Sequence, residues 1–174
     1  MPLEIEIKAY ADDLAEIERM IRRIGGVFQG NEDMADVYFG HPSRNFASTD
    51  EALRLRRIGV QTLITYKGPR MSGRSKTRME LESGIEDFEI MRGILHNLGF
   101  SEAGVVEKKR DVYDYRGIEV CLDRVSGLGD FVELEKSGDD RELVEKELFE
   151  AAEILGLSRF ETRSYLEMLL GRPT

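Results

Sequence analysis

Charged side chains recur at every second position of several short stretches, the first of which lies at the start of the chain. In residues 3–8, leucine and isoleucine alternate with Glu4, Glu6 and Lys8. Residues two apart on a β-strand point to the same face, so this pattern predicts a strand with two carboxylates and one ammonium on one face. Later stretches repeat the alternation and contribute Arg54, Arg56, Lys67, Arg78, Glu80, Glu82, Lys108, Arg110, Asp123, Glu133 and Glu135.

These predicted strand faces carry as many bases as acids, which restricts the chemistry that they could perform. Carboxylate oxygens are hard ligands that suit Mg²⁺ or Mn²⁺. Arginine and lysine side chains donate hydrogen bonds to phosphate oxygens. The combination fits a phosphate chain chelated by a divalent metal ion. Ion pairing among the side chains themselves is the alternative.

Positioning these charges requires elements that bury the opposite, apolar faces of the strands. Apolar residues recur at helical spacing in residues 14–24, 88–98 and 144–155, and a short helix is predicted at 165–170. If the helices cover the apolar faces, the charged faces must look inward, as in a closed or nearly closed β-barrel with a charged interior. A sheet with solvated charged faces is the alternative, because antiparallel sheets often expose one face to water.

The intervening segments predict short, antiparallel connections. Residues 27–39 are predicted as extended chain with a turn at 30–31, and residues 41–51 as a loop. Glycine-containing pairs at 59–60 and 116–117 predict hairpins. Predictions for the remaining segments are a polar loop at 69–76, one strand at 77–82 and a glycine turn at 126–130 that leads into a last strand. The fold class is therefore α+β with an antiparallel sheet.

Length and composition limit the organisation of the chain and its partners. The 174 residues predict a single domain over 1–174, and the net charge of −9 disfavours nucleic acid as a partner. No apolar run approaches the roughly 20 residues of a membrane helix, and no signal-peptide pattern is found at the N-terminus. One cysteine excludes an intramolecular disulfide. A cytoplasmic protein without a membrane partner is predicted.

The two histidines and the cysteine are predicted to have no catalytic role. His41 falls in the polar loop, and His96 falls on a predicted helix. Cys121 is predicted to be an inert thiol on the apolar face of its strand, next to Val120 and Leu122.

The charged stretches resemble, in order, those of a known family. The segment Glu4-Ile5-Glu6-Ile7-Lys8 has the ExExK pattern of the CYTH superfamily, the triphosphate tunnel metalloenzymes. The resemblance continues through DVYF (36–39), LRLRR (53–57), TYKGP (65–69), RMELE (78–82), EKKRDVY (107–113), LDRVSGLGDFVELE (122–135) and ETRSYLEMLL (161–170). The GLGDFVE stretch and the RSYLEML ending are most similar to the class IV adenylyl cyclase, or CyaB-type, branch.

This resemblance implies a closed, eight-stranded antiparallel tunnel with helices packed outside. It also implies a homodimer as an expectation, and it places Tyr165 either in the core or at the tunnel mouth. Glu80 and Glu82 are expected to line the tunnel. The implied metal ligands are Glu4, Glu6, Asp123, Glu133 and Glu135, with Mg²⁺ or Mn²⁺ as the cofactor. The implied phosphate-binding residues are Lys8, Arg54, Arg56, Lys67, Arg78, Lys108 and Arg110.

Three functions are compatible with these residues. The leading one is cyclisation of ATP to cyclic AMP and pyrophosphate, with Glu4, Glu6, Lys8, Asp123 and Glu133 as the catalytic set. The second is hydrolysis of thiamine triphosphate, inorganic triphosphate or a nucleoside triphosphate by the same residues. The third is binding of a nucleotide or polyphosphate without catalysis. The GLGDFVE motif of the late strands favours cyclisation, and the presence of all the implied metal-binding acids disfavours binding without catalysis.

Overall fold

One antiparallel sheet dominates residues 3–171, the part of the chain that the computed structural model describes. Its strands are β1 (Leu3–Tyr10), β2 (Val27–Gly40), β3 (Ala52–Ile58), β4 (Gln61–Lys67), β5 (Lys76–Arg78), β6 (Glu80–Ile85), β7 (Ser101–Tyr115), β8 (Ile118–Val125) and β9 (Gly129–Gly138). Their spatial order is β5-β1-β9-β8-β7-β2-β3-β4-β6.

The two edges of this sheet are consecutive in the sequence, which makes it a nearly closed barrel. Strand β5 pairs with β1, and β6 pairs with β4. Only Met79 separates them, so the chain itself joins the edges. The single strand predicted at 77–82 is thus two strands, and residues 3–171 contain nine strands rather than eight. The reason is a change of hydrogen-bonding partner at Met79, whose carbonyl accepts from the Gly68 N–H at 2.9 Å.

Two local predictions differ from the structure. The turn predicted at 30–31 is a β-bulge, and β2 continues through it with a register shift against β7 between Phe28 and Gly30. A bulge of this kind keeps a long strand paired while bending it. The loop predicted at 41–51 contains one helical turn, because Asn45 accepts hydrogen bonds from the N–H groups of Ala47 and Ser48.

Aspartate caps begin the three longer helices. Asp13, Asp87 and Asp140 each accept hydrogen bonds from N–H groups in the following turn. Such caps stabilise a helix by about 1 kcal/mol. Residues 3–171 contain no helix that is long and apolar enough to cross a membrane. The helices are α1 (Leu14–Arg23), α2 (Phe46–Thr49), α3 (Phe88–Asn97), α4 (Arg141–Ile154) and α5 (Tyr165–Leu169).

The helices cover the apolar faces of the strands from outside, as predicted. Ile21 of α1 and Leu148 of α4 are fully buried in one cluster with Leu134 of β9. Leu95 of α3 packs in a second cluster with Leu55 of β3. Full burial of each such side chain contributes about 1.5–3 kcal/mol. Since the apolar faces are covered outside, the charged faces of the same strands turn toward the barrel interior.

Candidate active site

A cavity of about 950 Å³ occupies the barrel interior, and we call it the tunnel. Its wall is built from alternate residues of the strands, so its charge follows from the period-two pattern of the sequence. Unlike the other predicted site residues, Asp123 does not line the tunnel, because it is fully buried behind the wall. The predicted residues that line the tunnel are Glu4, Glu6, Lys8, Arg54, Arg56, Lys67, Arg78, Glu80, Glu82, Lys108, Arg110, Glu133 and Glu135.

Lys8, Lys108 and Arg110 form a buried base cluster on β1 and β7. Each of these three residues is at most 6% exposed. Buried cations are costly unless carboxylates pair with them. The register of the sheet provides these acids, because Glu133 lies opposite Lys8 and Asp123 lies opposite Arg110.

Asp123 and Glu133 hold the bases in place. Arg110 donates to the two oxygens of Asp123 at 2.7 and 2.6 Å and also to Glu133. Lys108 donates to Asp123 at 3.1 Å. Burial disfavours the charged form of Glu133, but Lys108 and Arg110 outweigh it and hold the pKa of Glu133 well below its usual value. The geometry therefore engages both acids with bases, and their metal ligation stays a prediction.

Glu4, Glu6 and Glu135 form a carboxylate cluster on the neighbouring strands β1 and β9. One oxygen from each lies within 4.8 Å of the others. Burial raises the pKa of Glu4 to about 7, and the charge of Glu80 adds to the shift. Burial also raises the pKa of Glu135 to about 8. Burial disfavours the charged form of Glu6 as well, but Lys76 and Lys8 outweigh it and lower the pKa of Glu6. Three crowded, partly desolvated carboxylates, two of them with raised pKa values, match the donor set that a divalent cation would neutralise, so these residues fit a metal ion.

Arg54 and Arg56 have different partners although they share one face of β3. Arg56 donates to the two oxygens of Asp36 at 2.6 and 2.7 Å, which is a bidentate ion pair. Arg54 makes longer ion contacts, 3.6 Å to Glu82 and 4.0 Å to Asp36. Its Nε is buried and has no hydrogen-bond partner among the described residues. Of the two arginines, Arg54 is the one with unmet donor capacity facing the tunnel.

Residues 2–165 match the family described as the CYTH domain. The chain belongs to the CYTH family. It is 40% identical over 171 residues to "Putative adenylate cyclase MJ0240" of Methanocaldococcus jannaschii, covering 95% of this chain and 98% of that protein. It is 33% identical over 138 residues to "Adenylate cyclase CyaB" of Aeromonas hydrophila, covering 75% and 69%. The solved structure of PH1819 from Pyrococcus horikoshii is 39% identical, with a TM-score of 0.86 and coverage of 97% and 98%.

Membership of the CYTH family implies divalent metal use and triphosphate substrates such as ATP. The tunnel of this CYTH protein also contains acids and bases that the sequence predictions missed. Lys76 on β5 donates to Glu6 at 3.0 Å, and Asp36 on β2 binds Arg56. Lys76 precedes Arg78 by two residues, so extending the period-two rule one step would have found it. Asp36 lies in the DVYF stretch, but one acid without charged neighbours at two-residue spacing is not a site signal.

The prediction for Cys121 was wrong in one respect. Its strand places Val120 and Leu122 in the outer core, so the thiol shares the inner face with Glu119 and Asp123. Cys121 is fully buried, and burial raises the pKa of its thiol well above the usual value, which fits the predicted lack of reactivity. The hydrogen bonds of His41 are local, since its Nδ1 accepts from the backbone N–H groups of Ser43 and Arg44 at the tunnel rim.

Proposed function

We propose that this CYTH protein is a metal-dependent adenylyl cyclase that converts ATP to cyclic AMP and pyrophosphate. One observation carries the proposal: a carboxylate cluster and a buried base cluster lie along the wall of one tunnel. The two clusters match the metal ion and the phosphate oxygens of a metal–triphosphate complex. Support for cyclisation comes from the two curated relatives, whose names describe adenylate cyclases.

Glu4, Glu6 and Glu135 would hold Mg²⁺ or Mn²⁺. A bound divalent ion would neutralise phosphate charge and lower the pKa of the ribose 3′-hydroxyl that attacks the α-phosphorus. The carboxylates themselves align the substrate, because their positions on β1 and β9 fix where a chelated triphosphate can lie relative to Lys8. Glu80 and Glu82 line the tunnel near them and pair with Lys67 and Arg54.

The bases bind the phosphate chain and stabilise the leaving pyrophosphate. Charge on its oxygens increases as the bond to the α-phosphorus breaks, and fixed cations in a partly desolvated tunnel favour that charge. Lys108 and Arg110 supply such cations from β7. Burial and the charge of Lys76 lower the pKa of Lys8 on β1 to about 7, and a bound phosphate would favour its charged form. Arg54 supplies a guanidinium whose Nε is free for a phosphate oxygen, whereas Arg56 is engaged by Asp36. Lys67 and Arg78 line the same tunnel and complete the proposed phosphate-binding set.

Hydrolysis of a triphosphate is the second candidate. The cavity of about 950 Å³ has charged walls, and a polar space of that size holds ordered water beside a ligand, at about 30 Å³ for each molecule. A water molecule in place of the ribose hydroxyl would attack the terminal phosphate. The same acids and bases would serve, with thiamine triphosphate, inorganic triphosphate or a nucleoside triphosphate as the substrate.

Product analysis distinguishes these reactions. The protein is incubated with ATP and either Mg²⁺ or Mn²⁺, and cyclic AMP, pyrophosphate, ADP and phosphate are separated. Cyclisation gives cyclic AMP and pyrophosphate in equal amounts, and hydrolysis gives ADP and phosphate. Thiamine triphosphate and inorganic triphosphate are assayed in parallel. Binding of ATP with no product from ATP, thiamine triphosphate or inorganic triphosphate would refute both reactions and leave a non-catalytic nucleotide binder.

A further inference from the structure

Tyr165 begins helix α5 and reaches the buried side of the base cluster. The helix starts with a capping box formed by Ser164 and Glu167, which fixes the direction of the first turn. Tyr165 is 7% exposed, and its ring packs against Phe131 with centroids 5.2 Å apart. If the surroundings of this side chain were purely apolar, phenylalanine would fit there as well as tyrosine. The hydroxyl and the ring face of Tyr165 both have charged neighbours.

The ring of Tyr165 lies near two buried ammonium groups. The Nζ atom of Lys8 is 4.2 Å from the ring centroid, and the Nζ atom of Lys108 is 5.1 Å from it. Both distances fall within the range of cation–π attraction, which strengthens when the cation is desolvated. The attraction of each ammonium group to the ring offsets part of the repulsion between them, so the ring helps to hold both at the tunnel wall.

The hydroxyl of Tyr165 acts on the third base through an intermediate carboxylate. It donates to Oδ2 of Asp123 at 2.9 Å, and Asp123 accepts the guanidinium fork of Arg110. Burial raises the pKa of Tyr165 well above its usual value, so the hydroxyl keeps its proton and remains a donor. One side chain therefore contacts Lys8, Lys108 and the carboxylate that orients Arg110.

Contacts on either side of Tyr165 in the sequence hold α5 in this position. Arg70 donates to the carbonyl oxygen of Thr162 at 2.8 Å and to Glu167 at 3.1 Å, on either side of Tyr165 in the sequence. At Gly104 of β7, an added Cβ would lie 2.6 Å from Leu166, so glycine permits the close approach of the helix. The C-terminal segment is thus docked on the barrel from both of its sides.

We propose that Tyr165 is a positioning residue for phosphate binding. Its ring positions the ammonium groups of Lys8 and Lys108, and its hydroxyl positions the guanidinium group of Arg110 through Asp123. This inference rests on the proposed function, because it assigns to the tunnel a ligand with several linked phosphates. It makes helix α5 a part of the site rather than an outer cover of the barrel.

The test compares two substitutions of Tyr165 with a matched pair at Tyr115. Tyr115 is also 7% exposed, but it lies in the outer core cluster under α1 and α4 and lines no part of the tunnel. Binding of inorganic triphosphate in the presence of Mg²⁺ is measured by calorimetry, and melting is recorded for each variant. Tyr165→Leu removes ring and hydroxyl, and we expect about tenfold weaker binding. Tyr165→Phe keeps the ring, and we expect about threefold weaker binding. Tyr115→Leu should lower the melting temperature but leave triphosphate affinity unchanged.

The outcomes separate this inference from the proposed function. If the wild-type protein bound no triphosphate, both would be refuted. If it bound triphosphate and Tyr165→Leu bound equally well, only the positioning role would be refuted. Equal loss of affinity in Tyr165→Leu and Tyr115→Leu would also refute it, since that result indicates a general effect of lost packing. If Tyr165→Leu did not fold, the comparison of Tyr165→Phe with Tyr115→Phe would decide by the same criterion.

Discussion

Substitution of Arg54 and Arg56 by methionine should have opposite consequences. Asp36 is 1% exposed and receives both hydrogen bonds of the Arg56 fork. Arg56→Met leaves this carboxylate without its main partner, and breaking a buried ion pair costs about 3–5 kcal/mol. For a chain of this length, each kcal/mol lowers the melting temperature by roughly 2–4 °C. We therefore expect a decrease on the order of 10 °C and a small change in triphosphate affinity.

Arg54→Met should weaken binding and leave the fold nearly unchanged. Its ion contacts are long, 3.6 Å to the 44% exposed side chain of Glu82 and 4.0 Å to Asp36, and its hydrogen bond to Thr65 is 3.2 Å long. Losing such contacts costs about 1 kcal/mol or less. A charge-assisted hydrogen bond to phosphate contributes about 1.5–3 kcal/mol, which corresponds to roughly tenfold to a hundredfold in affinity.

Calorimetric titration with inorganic triphosphate in Mg²⁺ gives the affinities, and urea unfolding gives the stabilities. Arg57→Met is the matched control, because Arg57 is the next residue of β3 but is exposed and pairs with the exposed Glu89. It should change neither quantity appreciably. The reasoning would be refuted if Arg56→Met lost more affinity than Arg54→Met without losing stability.

Three further predictions follow from the same contacts. Glu4→Gln should abolish turnover while preserving the melting temperature, since it removes a hard metal ligand without changing shape; Glu102→Gln, on the outer surface, should keep activity, and wild-type rates in Glu4→Gln at limiting metal would contradict the metal assignment. Triphosphate with Mg²⁺ should raise the melting temperature more than pyrophosphate, and pyrophosphate more than orthophosphate, because only a longer phosphate chain spans bases on separate strands. A ligand at a hundredfold excess over Kd stabilises the protein by about 2.7 kcal/mol. Equal shifts at matched ionic strength would argue against the tunnel as the binding site. Hydrogen bonds from the Arg163 side chain lower the pKa of Glu161 to about 2. The contribution of Glu161 to the free energy of unfolding is therefore complete above the usual pKa near 4.5 and is lost as pH falls toward 2. The stability difference between wild type and Glu161→Gln, measured by urea unfolding, should shrink over that interval, and a constant difference would exclude this linkage.

The inward orientation of the charged faces could be predicted because it depends on two sequence periods. Alternation in β1 places Glu4, Glu6 and Lys8 on one face, and helical spacing in α1 and α4 predicts a cover for the other. The ordered resemblance to the CYTH superfamily then supplied the barrel. The division of residues 77–82 at Met79 was not predictable from alternation, because the pattern is the same on both sides of a change in pairing partner.

Specific side-chain pairing was the other feature that the sequence could not provide. Arg54 and Arg56 are equivalent in the pattern, and only the cross-strand register shows that Asp36 lies opposite Arg56. Cys121 was placed on the apolar face because its neighbours Val120 and Leu122 are apolar, although alternation requires it to face the other way. Strict use of the period would have placed it on the inner face of the strand with Asp123.

The acids of the tunnel divide into two groups with different tasks. Asp123 and Glu133 are paired with Arg110 and Lys108, so releasing them to bind a metal ion would leave buried cations without partners. Glu4 and Glu135 have raised pKa values, which means that the ligand-free tunnel disfavours their charged forms and a cation would favour them. Binding of a metal–triphosphate complex would add positive charge where carboxylates are crowded and negative charge where bases are buried. A metal ion alone or a phosphate chain alone would satisfy only one group, which accounts for the presence of both acids and bases on one tunnel wall.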